Sequence, residues 1–94
     1  FQAARVALDF VDTHFYWDHP TFLDQPWQLP ASGNHGGGSA VVAGGAGPLG
    51  VAMLRQYGKP FVVSEFNYAA PNPTRFEGGL LMGAAAALQD WDGV

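Results

Sequence analysis

The stretch Gly58-Lys59-Pro60-Phe61-Val62-Val63-Ser64-Glu65-Phe66-Asn67 constrains this chain more than any other. Gly58 and Pro60 open it. Three of the four residues from Phe61 to Ser64 are apolar, two are β-branched, and a carboxylate follows at once. A short apolar run bounded by breakers predicts a strand buried on both faces, as in parallel sheets covered by helices. Pro60 suits the first position of such a strand, because it has no N–H to give to a ladder. Glu65 then stands at the carboxyl end, where ligands and chemistry collect in α/β folds. A carboxylate abutting a dry strand costs free energy unless it is paired. Glu65 therefore either serves a site, pairs with a cation, or faces water beyond the strand.

Upstream, Val6 to Phe15 alternates well enough for another strand, with Leu8, Phe10, Asp12, His14 and Tyr16 sharing a face. Its end is polar and aromatic: Asp12, His14, Tyr16, Trp17, Asp18, His19. Such a cluster suits a sugar-binding wall, since flat rings stack on sugar faces while their polar tips bond hydroxyls. The bland alternative is a wet aromatic loop. The same four acids and imidazoles, Asp12, His14, Asp18 and His19, do not match the spacing of a standard zinc signature.

Residues 20–38 predict a long irregular loop, for Pro20, Pro26, Pro30 and the run from Ser32 to Gly38 are turn and breaker residues. Trp27 reads there either as an anchor packing the loop down or as a ring for a ligand, the anchor being the favoured reading. Ser39 can cap a short helix over Ala40–Ala43, interrupted by Gly44-Gly45-Ala46-Gly47. Pro48 suits the first turn of a second helix, Leu49 to Tyr57, with Leu49, Ala52 and Met53 toward the sheet and Gly58 just past its end. Thr74 and Glu77 form a T-x-x-E capping box before an apolar helix from Arg75 to Leu88, whose small side chains predict close packing between neighbours. Trp91-Asp92-Gly93-Val94 reads as a turn into a further strand. The order is βαβαβ, the pattern of a parallel α/β fold.

Gly45-Ala46-Gly47-Pro48-Leu49-Gly50 also fits G-x-G-x-x-G, follows the apolar run Ala40–Ala43, and precedes Glu65 by about one βα unit. That outline matches the dinucleotide-binding fingerprint and resembles the nucleotide loop of zinc-type alcohol dehydrogenases. A nucleotide-binding oxidoreductase fragment is thus one alternative reading. Against it stand a short helix and only one following βαβ unit.

Composition narrows the rest. Of 94 residues 48% are hydrophobic and only 13% charged, where soluble domains average roughly 25%. Such a chain is one small domain at most and is expected to sit inside something larger. Four Lys and Arg with a net charge of -4 supply no clustered positive surface for nucleic acid. Without Cys there is no disulfide framework or thiolate metal site. No apolar run reaches the roughly 18 residues of a membrane span. The opening Phe-Gln-Ala-Ala-Arg has neither an initiator Met nor a signal layout. The expectation is a start cut from a longer polypeptide.

Three segments together carry a resemblance: Asp-Thr-His-Phe-Tyr-Trp at 12–17, Gly-Lys-Pro-Phe-Val-Val-Ser-Glu-Phe-Asn at 58–67, and Ala-Leu-Gln-Asp-Trp-Asp-Gly-Val at 87–94. They resemble the sixth, seventh and opening eighth strand units of clan A glycoside hydrolases, which are (β/α)8 TIM barrels. The resemblance implies that residues 1–94 are the C-terminal part of such a barrel, truncated at both ends. It implies Glu65 as the catalytic nucleophile, and His14 and Tyr16 as the His-x-Tyr that lines the sugar site and holds that nucleophile. With Trp17 and Asn67 added, these form the expected substrate-binding set for an oligo- or polysaccharide, with no metal and no cofactor. Retaining hydrolysis needs a second carboxyl group, which in the clan follows an Asn at the end of strand four and would lie outside this chain. The Gly-rich stretch 36–50 departs from the simple helix of most members. A secreted or periplasmic setting is compatible with the resemblance. A non-catalytic carbohydrate-binding or structural barrel piece is the remaining alternative. As an isolated molecule the chain is expected to need the rest of a barrel or self-association, with Leu8, Phe10, Phe61 and Val63 on the face left uncovered.

Overall fold

The computed structural model describes residues 2–35 and 38–94. After a short helix, α1 (Gln2–Arg5), the chain runs β1 (Val11–Tyr16), β2 (His19–Phe22), β3 (Ala31–His35), α2 (Ala46–Ala52), β4 (Phe61–Asn67) and α3 (Glu77–Gln89). β1 and β4 pair in parallel, from Val11 opposite Phe61 to Tyr16 opposite Asn67. The Val11 N–H bonds the Pro60 carbonyl at 2.8 Å on one edge of β4. On the other edge, Asp92 N–H bonds the Phe61 carbonyl at 2.9 Å and Val63 N–H bonds the Gly93 carbonyl at 3.0 Å. Val62 and Gly93 form a parallel bridge, so the strand of the opening stretch lies in the middle. The chain is a mixed α/β structure built on a parallel sheet.

Both longer helices lie on one face of that sheet. The core there is Val11, Val51, Phe61, Val63, Met82 and Trp91. Phe61 and Val63 are fully buried, and Phe61 meets the Trp91 ring edge-on at 5.3 Å. Burying a side chain of this size contributes about 1.5–3 kcal/mol. Phe61 and Val63 therefore do not join Leu8 and Phe10 on an uncovered face. The helices cover them, and the open side belongs to the residues that alternate with them. Leu8 and Phe10 are about half exposed, at 55% and 53%.

Helix α2 starts earlier than expected, inside the glycine run, and ends at Ala52. Pro48 and Val51 are its buried side, while Leu49 and Met53 point outward. Residues 40–45 form a hydrogen-bonded turn, with Gly45 N–H reaching the Ala40 carbonyl at 2.8 Å. Ala40–Ala43 is not a strand, so the glycine motif lacks the strand that a dinucleotide fold places before it. Two of its glycines have packing reasons instead. Gly45 caps α2 in the left-handed region at φ 67°, and a Cβ at Gly47 would run into the Phe15 ring. The close approach is between helix and strand.

Two further expectations change. The loop 20–38 contains the antiparallel ribbon β2–β3, with Pro20 opposite Asn34. A two-stranded ribbon has a free edge on each strand, where proline is tolerated. Gly36 and Gly37 of the expected turn run lie outside the described residues. Helix α3 begins at Glu77 without a side-chain cap. The Thr74 hydroxyl bonds the Gly38 carbonyl at 2.7 Å, and Glu77 accepts from the Ser39 hydroxyl at 2.7 Å and the Val41 N–H at 3.1 Å. The presumed capping box thus ties two loops together. The Ser39 contact holds the Glu77 carboxyl below its ordinary value. Only one side of α3 is buried, for Leu80 and Leu88 are exposed. Among the described residues nothing covers its outer side. Among the described residues no helix is long and apolar enough to cross a membrane.

Candidate active site

Strict alternation along β4 would place Glu65 on the same face as Phe61 and Val63, among the helices. The pairing prevents this. Thr13 lies opposite Val63, but His14 lies opposite Glu65, so Ser64 is an extra residue on β4. A one-residue slip reverses every later side chain, and a bulge re-aims one locally. Ser64 and Glu65 both reach the open face, beside Asp12, His14 and Tyr16 of β1. The bulge takes the Ser64 N–H out of the ladder, and Asp12 Oδ1 accepts it at 3.1 Å. No backbone donor is sacrificed in turning Glu65 outward.

The side chains form a chain of contacts along the carboxyl ends of the two strands. The Tyr16 hydroxyl donates to Glu65 Oε1. Glu65 Oε2 lies 3.7 Å from His14 Nδ1. His14 Nε2 is 3.2 Å from Ser64 Oγ, and the Ser64 hydroxyl donates to Asp12 Oδ2 at 2.7 Å. An ionised carboxylate only accepts, so the Ser64 proton points at Asp12 and its oxygen accepts from His14 Nε2–H. The serine thereby places a proton on Nε2 of His14. The Ser64 bond also holds the Asp12 carboxyl below its ordinary 3.8. That contribution is complete above the ordinary value and fades as pH falls through the lowered one. The Glu65 contact pushes the Tyr16 phenol above 10.0.

Glu65, Tyr16 and Asn67 line a hollow of about 520 Å³ with His19, Pro20 and Trp27. The structure thus brings together Glu65, His14, Tyr16 and Asn67 at one end of the parallel pair. Trp17 departs from expectation. It is half-buried, stacks on Tyr68 at 6.3 Å, and donates from Nε1 to the Gly38 carbonyl at 3.1 Å. Alternation carries it to the side opposite Tyr16, so it packs the loops and does not face the hollow. Trp27 departs from the reading favoured for it, the loop anchor: it is 85% exposed and lines the hollow. Sequence reasoning also passed over Asp12 and Ser64 as an orienting pair. Their spacing carries no motif, and the bulge that joins them has no marker such as Gly or Pro.

Asp18 turns away from the imidazoles into a buried knot. It is 1% exposed, accepts from Ala69 N–H, and accepts from Asn72 Nδ2 at 2.8 Å. Asn72 also bonds the Gly38 carbonyl at 3.2 Å and accepts from Thr74 N–H at 2.9 Å. This knot fastens the segments leaving β1 and β4. Among the described residues no three His, Asp or Glu side chains gather as a metal site. No family model, curated protein or solved structure matches the chain.

Proposed function

We propose that this chain is the nucleophile-bearing portion of a retaining glycoside hydrolase, a segment of a (β/α)8 barrel whose acid and base partner lies elsewhere in the polypeptide. One observation carries the reading: a bulge turns Glu65 onto the open face of a parallel strand, where the neighbouring strand supplies the Tyr16 hydroxyl to one carboxylate oxygen. Parallel strands with helices on one face and polar residues at their carboxyl ends are the arrangement of barrel active sites.

In this reading Tyr16 engages Oε1 and leaves Oε2 for the anomeric carbon. Attack forms an ester bond from Glu65 to that carbon as the bond to the leaving oxygen breaks. The leaving oxygen takes its proton from the second carboxyl group, roughly 5–5.5 Å from the first in retaining enzymes. Water then attacks the same carbon, gives its proton to that second group, and releases Glu65. Asp12, Ser64 and His14 position the nucleophile; the Nε2–H to Ser64 contact fixes the imidazole ring whose Nδ1 faces Oε2. Orientation of this kind is a large part of what a site contributes to rate. In the full polypeptide, Glu65→Gln abolishes turnover and leaves oligosaccharide binding in place. Near-normal turnover by that variant overturns Glu65 as the nucleophile, and sugar binding without turnover by the parent favours a binding or structural barrel.

A further inference from the structure

The tryptophan at the mouth of the hollow has three features that belong together. Trp27 is 85% exposed, although large aromatic rings are normally highly buried. Its backbone adopts φ 67°, a region costly for a bulky residue and characteristic of positions held for function. Its ring leans on Phe22 of β2 at 5.7 Å and 49°, which supports one side and leaves the other free. The same ring shares the hollow with Glu65, Tyr16, His19 and Asn67. A second hollow of about 630 Å³ adjoins it, with Pro20, Phe66 and Asn67 as shared wall and Phe22 and Arg75 among its own lining. Residues of β2 thus border the space on both sides of that wall.

We infer that Trp27 is a stacking platform for a second pyranose ring, so that the substrate is an oligosaccharide of at least two units. This rests on the glycosidase reading of Glu65 and adds the subsite that selects chain length. A sugar ring presents an apolar face of C–H groups, and a flat ring with an N–H at its edge matches both that face and the hydroxyls around it. Phe22 holds the indole from behind, and the fixed backbone lowers the ordering cost on binding.

The test measures binding by calorimetry in the full polypeptide carrying Glu65→Gln, which does not consume the probe. Cello-, manno- and xylo-oligosaccharides of one to three units serve as probes. Affinity for the best trisaccharide falls about tenfold with Trp27→Ala. Trp27→Leu, which keeps apolar bulk without a ring, loses as much. Trp27→Phe keeps most of the affinity. Because Trp27 is exposed, all three variants keep the parent melting temperature. Equal affinities for Trp27→Leu and Trp27→Phe, or an unchanged affinity for Trp27→Ala, overturn the subsite while leaving the role of Glu65 intact. Normal turnover by Glu65→Gln overturns the underlying reading instead. Absence of binding by every probe overturns the subsite.

Discussion

Asn72 is the residue on which the loops beneath the site depend most, and Asn72→Ala tests that directly. Both Asn72 and Asp18 are 1% exposed, so neither exchanges its bonds for water when a partner is lost. The substitution removes a bond to the Asp18 carboxylate, a bond to the Gly38 carbonyl and the acceptor of Thr74 N–H. A hydrogen bond to a charged group contributes about 1.5–3 kcal/mol and a neutral one about 0.5–1.5 kcal/mol. Asp18 keeps the Ala69 N–H, which limits the loss. The expected cost is about 3–4 kcal/mol, a large part of the 5–15 kcal/mol that holds a typical domain. With a urea slope of about 1.5 kcal/mol/M, the midpoint falls by about 2 M. The assay is urea unfolding followed by tryptophan fluorescence, at one fixed protein concentration because association shifts midpoints. A shift under about 0.5 M at unchanged slope refutes the claim that this knot fastens the strand ends.

Three further outcomes follow from the structure. Gly78→Ala places a Cβ 2.5 Å from the Tyr68 ring, itself buried against Phe15 and Trp17, and costs about 1–3 kcal/mol in the same unfolding assay; an unchanged midpoint contradicts that packing. The Tyr16 phenol titrates above 10.0 because of its bond to Glu65, so the contact is complete below that value and lost as pH rises through the raised one. Glu65→Gln moves the ultraviolet titration of Tyr16 back toward 10.0, and no movement refutes the contact. The isolated 94 residues sediment at micromolar concentration as an oligomer, since among the described residues β1 pairs only with β4 and leaves its other edge unpaired; a stable monomer with cooperative unfolding refutes this expectation.

The sequence made the parallel pair legible because β4 announces itself. A breaker-bounded apolar run has few other uses, but it predicts burial on both faces, and only the face of Phe61 and Val63 is fully buried. Helix α3 was legible for the same reason, to within two residues at its start and one at its end. Pattern misled where one residue satisfies two rules. Thr74 and Glu77 have capping-box spacing, yet their side chains serve Gly38, Ser39 and Val41. Leu49 and Met53 have helical spacing, but the helix begins three residues earlier and turns Val51 inward. The ribbon β2–β3 was hidden because Pro20 and Gly33 are breakers in any local scale, while a two-stranded ribbon tolerates them. At the candidate site, which residues gather was more legible than how they come together. Glu65, His14 and Tyr16 could be named from residue type and position, whereas the bulge at Ser64 is a tertiary event. Simple alternation points Glu65 the wrong way, and only pairing with β1 shows how it comes to face Tyr16. Trp27 sits in a turn closed by Gln28 N–H to the Gln25 carbonyl at 3.1 Å, with positive φ at Trp27; Pro26 marks that turn, but nothing local says that it carries the ring to the hollow.

The central claim is that Glu65 forms a covalent bond to sugar. Its most direct test incubates the full polypeptide with activated 2-deoxy-2-fluoro glycosides, whose good leaving group removes the need for acid assistance and whose fluorine slows release of the ester. Peptide mass spectrometry then locates the adduct. The account predicts one added sugar on the peptide containing Glu65, and none in Glu65→Gln. An adduct on another carboxylate, or a Glu65→Gln protein that labels as the parent does, contradicts it.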